Sequence, residues 1–265
     1  KIITLLNYIL KNKNEILERE LSISILSNSK AWEEKYKKKI LKILRQNERF
    51  ASLVENCEDE KEADKVILEE CNIFSNPSYI YFKGSGTITF ENGNSIKIFS
   101  DIPLALSSAA ISKITAFEIV DKKIMTVENL TSFNRIKKTN TFFIFLSGYH
   151  NSAKQIFLKT IFAQNSNKEY YHFGDIDPDG FFILDNLRSK TQIDFKAYKM
   201  GMAELQKYSS YTRPLEENDL RKADSLIAKG KYTEILDYML KHNVKLEQEI
   251  ISWKEVSNKV TKFPE

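Results

Sequence analysis

HFGDIDPDGFFILDNLR, residues 172–188, decides how this chain of 265 residues is read. With the preceding EYY (169–171), its first part predicts a strand over 169–175. PDGFFILDNLR (178–188) predicts a helix, with Pro178 suited to the first turn. Asp175, Asp177 and Asp179 alternate across the junction. Three carboxylates this close repel one another strongly in a low-dielectric site. A divalent cation is the usual way to hold them together, and hard oxygen ligands suit Mg²⁺ or Mn²⁺. The position matters as well, because parallel α/β sheets build their sites beyond the carboxyl ends of the strands.

Working outward, KIMTVEN (123–129) predicts another strand, and Glu128 ends it in the same way. NLTSFNRI (129–136) reads as a short helix, TFFIFLSG (141–148) as an apolar strand, NSAKQIFLKTIF (151–162) as a helix capped by Asn151 or Ser152, and DFKAYKM (194–200) as a strand. Strands alternating with helices predict a parallel sheet with crossovers. Glu128 and the aspartate cluster are thereby expected at one sheet edge. Residues 216–253 read as mostly helical, with a break at Lys229-Gly230-Lys231.

The first part of the chain reads differently. Residues 1–20 are helical, and a second helix carries Trp32, Tyr36, Ile40, Leu41, Ile43 and Leu44 on its apolar side. Lysines fill most of the rest of that helix, as a solvated face or a phosphate-contacting one. An acidic loop (55–65) leads into a helix near 63–71. YIYFKG (79–84) and TITFENGNSIKIF (87–99) signal a hairpin turning at 91–94, and 102–116 reads as a helix. The expected organisation is α/β, with a helical, hairpin-bearing part over 1–115 and a parallel-sheet domain over 116–265.

Composition bounds these readings. Hydrophobic residues make up 42% and charged residues 29%, which excludes wholesale disorder. Eight Gly and five Pro argue against collagen-like or many-turned all-β architectures. Cys57 and Cys71 are too few for a disulfide framework and are read as thiols of a reducing cytoplasm. No apolar run reaches bilayer length, so no membrane partner is expected, and no signal peptide is visible. The net charge of +4 weakly favours an acidic partner. The chain begins at Lys1 rather than Met, as a fragment of something longer would.

Three other readings of the aspartate cluster are available. An EF-hand-like loop needs Glu at its twelfth position, but that position from Asp175 is Asn186. A phosphatase with an aspartyl nucleophile also places D-x-D after a strand, but needs a further lysine and acidic motif. A solvated helix cap needs one Asp. Three plus Glu128 are more than a cap requires.

VENLTSF (127–133), LSGYHN (146–151) and GDIDPDGFFILDNLR (174–188) resemble the Toprim domain of the Wadjet anti-plasmid nuclease subunit, the JetD family. LSISILSNSKAWEE (21–34), with Ser29-Lys30, and KLEQEIISW (245–253), with Glu247-Gln248-Glu249, resemble further segments of that family in the same order. The resemblance implies a Toprim domain preceded by a winged-helix-like part. It implies a metal-dependent nuclease that cuts double-stranded DNA for an SMC-like complex. Glu128, Asp175 and Asp177 would hold Mg²⁺ or Mn²⁺, Glu128 also being a candidate general acid/base. Glu247 and Glu249 are candidates for a second metal site, or else an exposed helix face. Asp179 departs from the family pattern and resembles the third carboxylate of type II topoisomerases; it is read as a ligand or a helix-start residue. Cutting both strands needs two sites, hence an expected homodimer.

Lys30, His150 and Arg188 are candidate DNA contacts, against readings as a solvated lysine, a loop histidine and a helix-dipole partner. His172 is expected to be packed in its strand and His242 to be exposed. Two rival functions remain at this point. One is a type IIB topoisomerase-like transesterase, for which Tyr36 is the candidate nucleophile. The other is a non-catalytic module that binds DNA or a partner.

Overall fold

The computed structural model describes residues 1–54, 57, 59–99, 102–137, 139–146 and 152–260. The chain divides at Tyr79/Ile80 into two compact units. Sequence placed the division near 115; the strands between 80 and 115 belong to the second unit.

The first unit is helical. It holds α1 (Ile2–Lys11), β1 (Ile16–Leu17), α2 (Glu18–Leu26), a π-helical turn (Trp32–Tyr36), α3 (Lys37–Arg45), α4 (Ala51–Val54), α5 (Glu60–Glu70) and β2 (Ile73–Phe74). β1 and β2 pair in parallel. Leu5, Ile9, Leu21, Trp32, Ile40, Leu44 and Ile67 meet in its core, with Tyr36 partly buried against them. The lysine face of α3 stays outside, apart from Lys37, which pairs with Glu18 at 2.7 Å.

The second unit starts with β3 (Tyr79–Lys83), β4 (Gly86–Phe90), β5 (Ser95–Ile98), β6 (Leu104–Ser107), α6 (Ser108–Ile111) and β7 (Ile114–Ile119). The hairpin forms as β4 and β5, and β7 completes an antiparallel sheet in the order β5-β4-β7. The helix expected over 102–116 is instead a strand, one helical turn and a second strand. Leu104 and Leu106 face one way with Ala105 exposed between them, a period of two rather than 3.6. Ser107 then caps α6 by accepting from the Ala110 amide at 3.2 Å.

The larger sheet runs β11-β10-β8-β9-β3-β6, adding β8 (Lys123–Val127), β9 (Thr141–Phe145), β10 (Glu169–Phe173) and β11 (Lys196–Ala197). β8, β9, β10 and β11 are mutually parallel and β3 is antiparallel to β9. β8 and β9 are buried on both faces over most of their length, as parallel strands between two layers must be. One face packs Ile124, Phe142, Ile144 and Tyr170 with Phe157, Leu158, Leu184 and Leu187. The other packs Met125, Val127, Phe143 and Phe173 with Phe133, Leu226, Met239 and Ile251. The helices are α7 (Leu130–Arg135), α8 (Ser152–Gln164), α9 (Pro178–Thr191), α10 (Met202–Lys207), α11 (Glu217–Ala228), α12 (Thr233–His242) and α13 (Gln248–Val260). The α/β class and mostly parallel sheet expected from sequence are what the structure has, and they suit a Toprim-like domain. Among the described residues, no helix is long and apolar enough to cross a membrane.

From β8 the chain moves to β9 on one side, then crosses back over β8 to β10 on the other. The carboxyl ends of β8 and β10 therefore flank a topological switch point, where open α/β sheets form their crevices.

Candidate active site

Glu128 follows β8 and Asp175 follows β10 at that switch point. The two strand ends are in register, Val127 opposite Phe173, and the Glu128 amide donates to the Phe173 carbonyl at 3.0 Å. Gly174 makes room for the acid: a Cβ there would lie 2.6 Å from Glu128 Oε2 and 3.0 Å from His172 Nε2. Only glycine lets the carboxylate lie against the backbone in this way.

Asp177 is the N-cap of α9, its Oδ1 accepting from the Gly180 amide at 2.6 Å, with Pro178 in the first turn. Gly180 packs that turn against the Asp175 carbonyl, 2.3 Å from where a Cβ would stand. The acidic loop is thus folded back tightly over the end of β10. Its central residue, Ile176, pairs with Leu246 through two backbone bonds of 2.9 and 3.0 Å. This pairing brings the 247–249 segment to the site.

Burial and mutual repulsion dominate the electrostatics. Glu128 is pushed well above the usual carboxylate range, first by burial and then by the charges of Asp175, Asp177 and Asp179. Burial also pushes Asp175 up to about 6, opposed by the Gln248 amide and reinforced by Glu249 and Glu247. Asp177 is pushed up to about 7 by burial and by Asp175. Glu128 Oε2 is buried without a hydrogen-bond partner.

The outer acids are engaged. Asp179 Oδ1 accepts from Lys222 Nζ at 2.6 Å, a lysine whose side chain is only 5% exposed. Glu247 pairs with Arg213 at 2.5 Å. Glu249 accepts from the Asn129 side-chain amide. As the side chains stand, no three His, Cys, Asp or Glu among the described residues are gathered closely enough to hold a metal ion. The structure places Glu128, Asp175 and Asp177 at two neighbouring strand ends, within electrostatic reach of one another, with Asp179, Glu247 and Glu249 as further charge neighbours.

The remaining candidates fall elsewhere. Arg188 turns inward, donating to the Phe195 carbonyl at 2.7 Å and to the Tyr232 hydroxyl at 2.9 Å. Lys30 is exposed in the first unit. His150 lies outside the described residues. His172 is fully buried, as expected, with Nδ1 2.9 Å from Thr126 Oγ1. Its Nε2 lies 3.9 Å from Glu128 Oε2, a proximity the sequence reading missed. Burial, with the Arg188 charge, pulls its pKa down to about 3, so it stands beside the acid as a neutral ring. Gly174, Gln248 and Lys222 were missed too. Gln248 lies between two acids that were singled out, which was the only sequence signal for it.

Comparison with known proteins gives the family of the chain. Residues 87–260 match the family model described as "Wadjet protein JetD, C-terminal". The chain is 29% identical over 201 residues to a Wadjet protein JetD of Bacillus cereus (strain Q1), covering 72% of this chain. It spans about half the length (49%) of that relative. The matched region contains both acid-bearing strand ends and the 247–249 segment, and the chain belongs to the Wadjet protein JetD family.

Proposed function

We propose that this chain is a metal-dependent DNA endonuclease of the Toprim type. In this reading it works in the cytoplasm, in anti-plasmid defence, as a homodimer on double-stranded DNA together with SMC-like partner subunits. Membership of a Wadjet family supports the setting. One observation carries the chemistry: Glu128, Asp175 and Asp177 crowd the switch point, and Glu128 keeps a buried oxygen without a partner.

The donor set fits Mg²⁺ or Mn²⁺. The oxygens are hard, their charges oppose one another, and partial burial weakens the screening by water. Glu128, Asp175 and Asp177 would hold the ion, with Glu247 and Glu249 available to a second one. A bound divalent ion supplies Lewis-acid polarisation of a phosphodiester and a more acidic water. The chain's own residues do the rest. Glu128, pushed well above the usual carboxylate range by burial and by the neighbouring acids, is suited to holding a proton at Oε2 and passing it on. The Asp177 cap fixes one carboxylate oxygen on α9, and the Gln248 amide fixes one on Asp175.

The test is cleavage of supercoiled plasmid with Mg²⁺ or Mn²⁺, comparing the native chain with Asp177→Ala. Metal-dependent nicking or linearisation that the variant lacks is the expected result. Cleavage that survives the substitution would sink the assignment. The transesterase alternative gains nothing from the structure, since Tyr36 packs against the core of the first unit.

A further inference from the structure

Gln248 is the first residue of α13 and is fully buried. It makes three bonds to the two acid-bearing strand ends. Its backbone amide donates to Asp175 Oδ1 at 2.6 Å. Its side-chain Nε2 donates to the Phe173 carbonyl at 2.8 Å, at the end of β10. Its Oε1 accepts from the Asn129 backbone amide at 2.9 Å, one residue past Glu128. The Phe173 carbonyl also takes the Glu128 amide. One side chain therefore spans the gap between the loop that carries Glu128 and the strand that carries Asp175.

We propose that Gln248 is a positioning residue that sets the separation of Glu128 from Asp175 and Asp177, the proposal resting on the metal-site reading above. Glutamine is the residue that fits. An Asn129 amide can only donate and a Phe173 carbonyl can only accept, so the bridge needs one acceptor and one donor on the same short planar group. A glutamate supplies no donor when ionised and adds a charge beside Asp175. An asparagine has the same amide on a stem one methylene shorter and cannot reach both partners. Gln248 touches neither metal nor DNA in this role; it acts through the strand ends. Groups that orient ligands in this way typically change metal affinity by about 10–100-fold when replaced.

The experiment measures Mn²⁺ affinity of the full chain by electron paramagnetic resonance of free and bound ion, without relying on cleavage. The variants are Gln248→Met, Gln248→Asn, Ser252→Ala and Asp177→Ala. Ser252 is the internal control: it is buried on the same helix, and its hydroxyl bonds the Ser132 hydroxyl at 2.9 Å and the Glu249 backbone carbonyl at 3.1 Å, neither bond reaching a carboxylate. Gln248→Met and Gln248→Asn are expected to bind Mn²⁺ about 10–100-fold more weakly, with an altered bound-ion spectrum, while Ser252→Ala binds as the native chain does. Should Gln248→Met fail to fold, Gln248→Asn decides alone. Native affinity in folded Gln248 variants overturns the proposal, as does an equal loss in Ser252→Ala. Native Mn²⁺ binding by Asp177→Ala overturns the metal-site reading itself and the proposal with it, an outcome read from a different variant.

Discussion

Two buried amides stitch the second unit together, and they sit in opposite company. Asn165, at the end of α8, accepts from the Ile119 amide at 3.2 Å and donates to the carbonyls of Phe117 and Ile161 at 2.8 and 2.9 Å. The Gln248 side chain makes the same kind of bridge, between the Phe173 carbonyl and the Asn129 amide, and its backbone amide adds a bond to the Asp175 carboxylate. The Asn165 knot joins neutral groups, so its bonds serve the fold alone. The Gln248 knot is built among acids whose repulsion works against the fold. The same amide chemistry thus secures β7 in one place and holds an electrostatically unfavourable arrangement in the other. Functional sites are where such local conflict is retained.

The sharpest way to separate these roles is Asp177→Asn. Asparagine caps helices as well as aspartate does, so α9 keeps its first turn while one charge is removed. Plasmid cleavage is expected to be lost. In EDTA at pH 8 the melting temperature should rise, by about 2–4 °C for each kcal/mol of repulsion relieved. A variant that loses activity and also melts earlier would contradict the repulsion argument. Next in size is Lys222→Met, which removes the Lys222 cation from Asp179 beside the other acids. Asp179 is 33% exposed, so the expected loss is about 1–3 kcal/mol, below that of a fully buried pair, read by urea unfolding. Asn165→Leu strands the Ile119 amide and should cost about 1–2 kcal/mol. Calorimetric Mn²⁺ titration of that variant should match the native chain; a changed affinity would erase the distinction between the two knots.

A further prediction concerns pH. Asp175 and Asp177 have native pKa values raised above 3.8, to about 6 and about 7, so the folded chain binds more protons than the unfolded one between these limits. Without metal, stability is expected to be highest below pH 4 as far as these two groups are concerned, and to fall as pH rises to about 7. Melting curves in EDTA across that range check the sign. Added Mg²⁺ at pH 8 should restore what the rise in pH removed.

Much of this site is legible in sequence because its acids mark local structure. Asp177-Pro178 announces a helix start, and Glu128 ends a run of strand formers. Those signals act over a few residues, within reach of sequence pattern. The partners that complete the site do not. Gln248 lies 73 residues from Asp175 and 119 from Asn129, and an isolated glutamine at the head of a helix has no local signature. Arg188 reads as a helix-dipole partner or a DNA contact, yet the fold turns it onto Phe195 and Tyr232. The stretch 102–116 misled for a related reason. Its small residues tolerate either helix or strand, and neighbouring chain decides the outcome.

The distance from Asp175 to Gln248 also has a meaning in time. A ribosome adding roughly 5–20 residues per second needs about 4–15 s to cover those 73 residues. During that interval β8 and β10 can already exist, but the amide that pins Asp175 has not been made. The acids are therefore assembled with their full geometry only once α13 has been made, and a truncated product ending before α13 carries the acid motif without the brace.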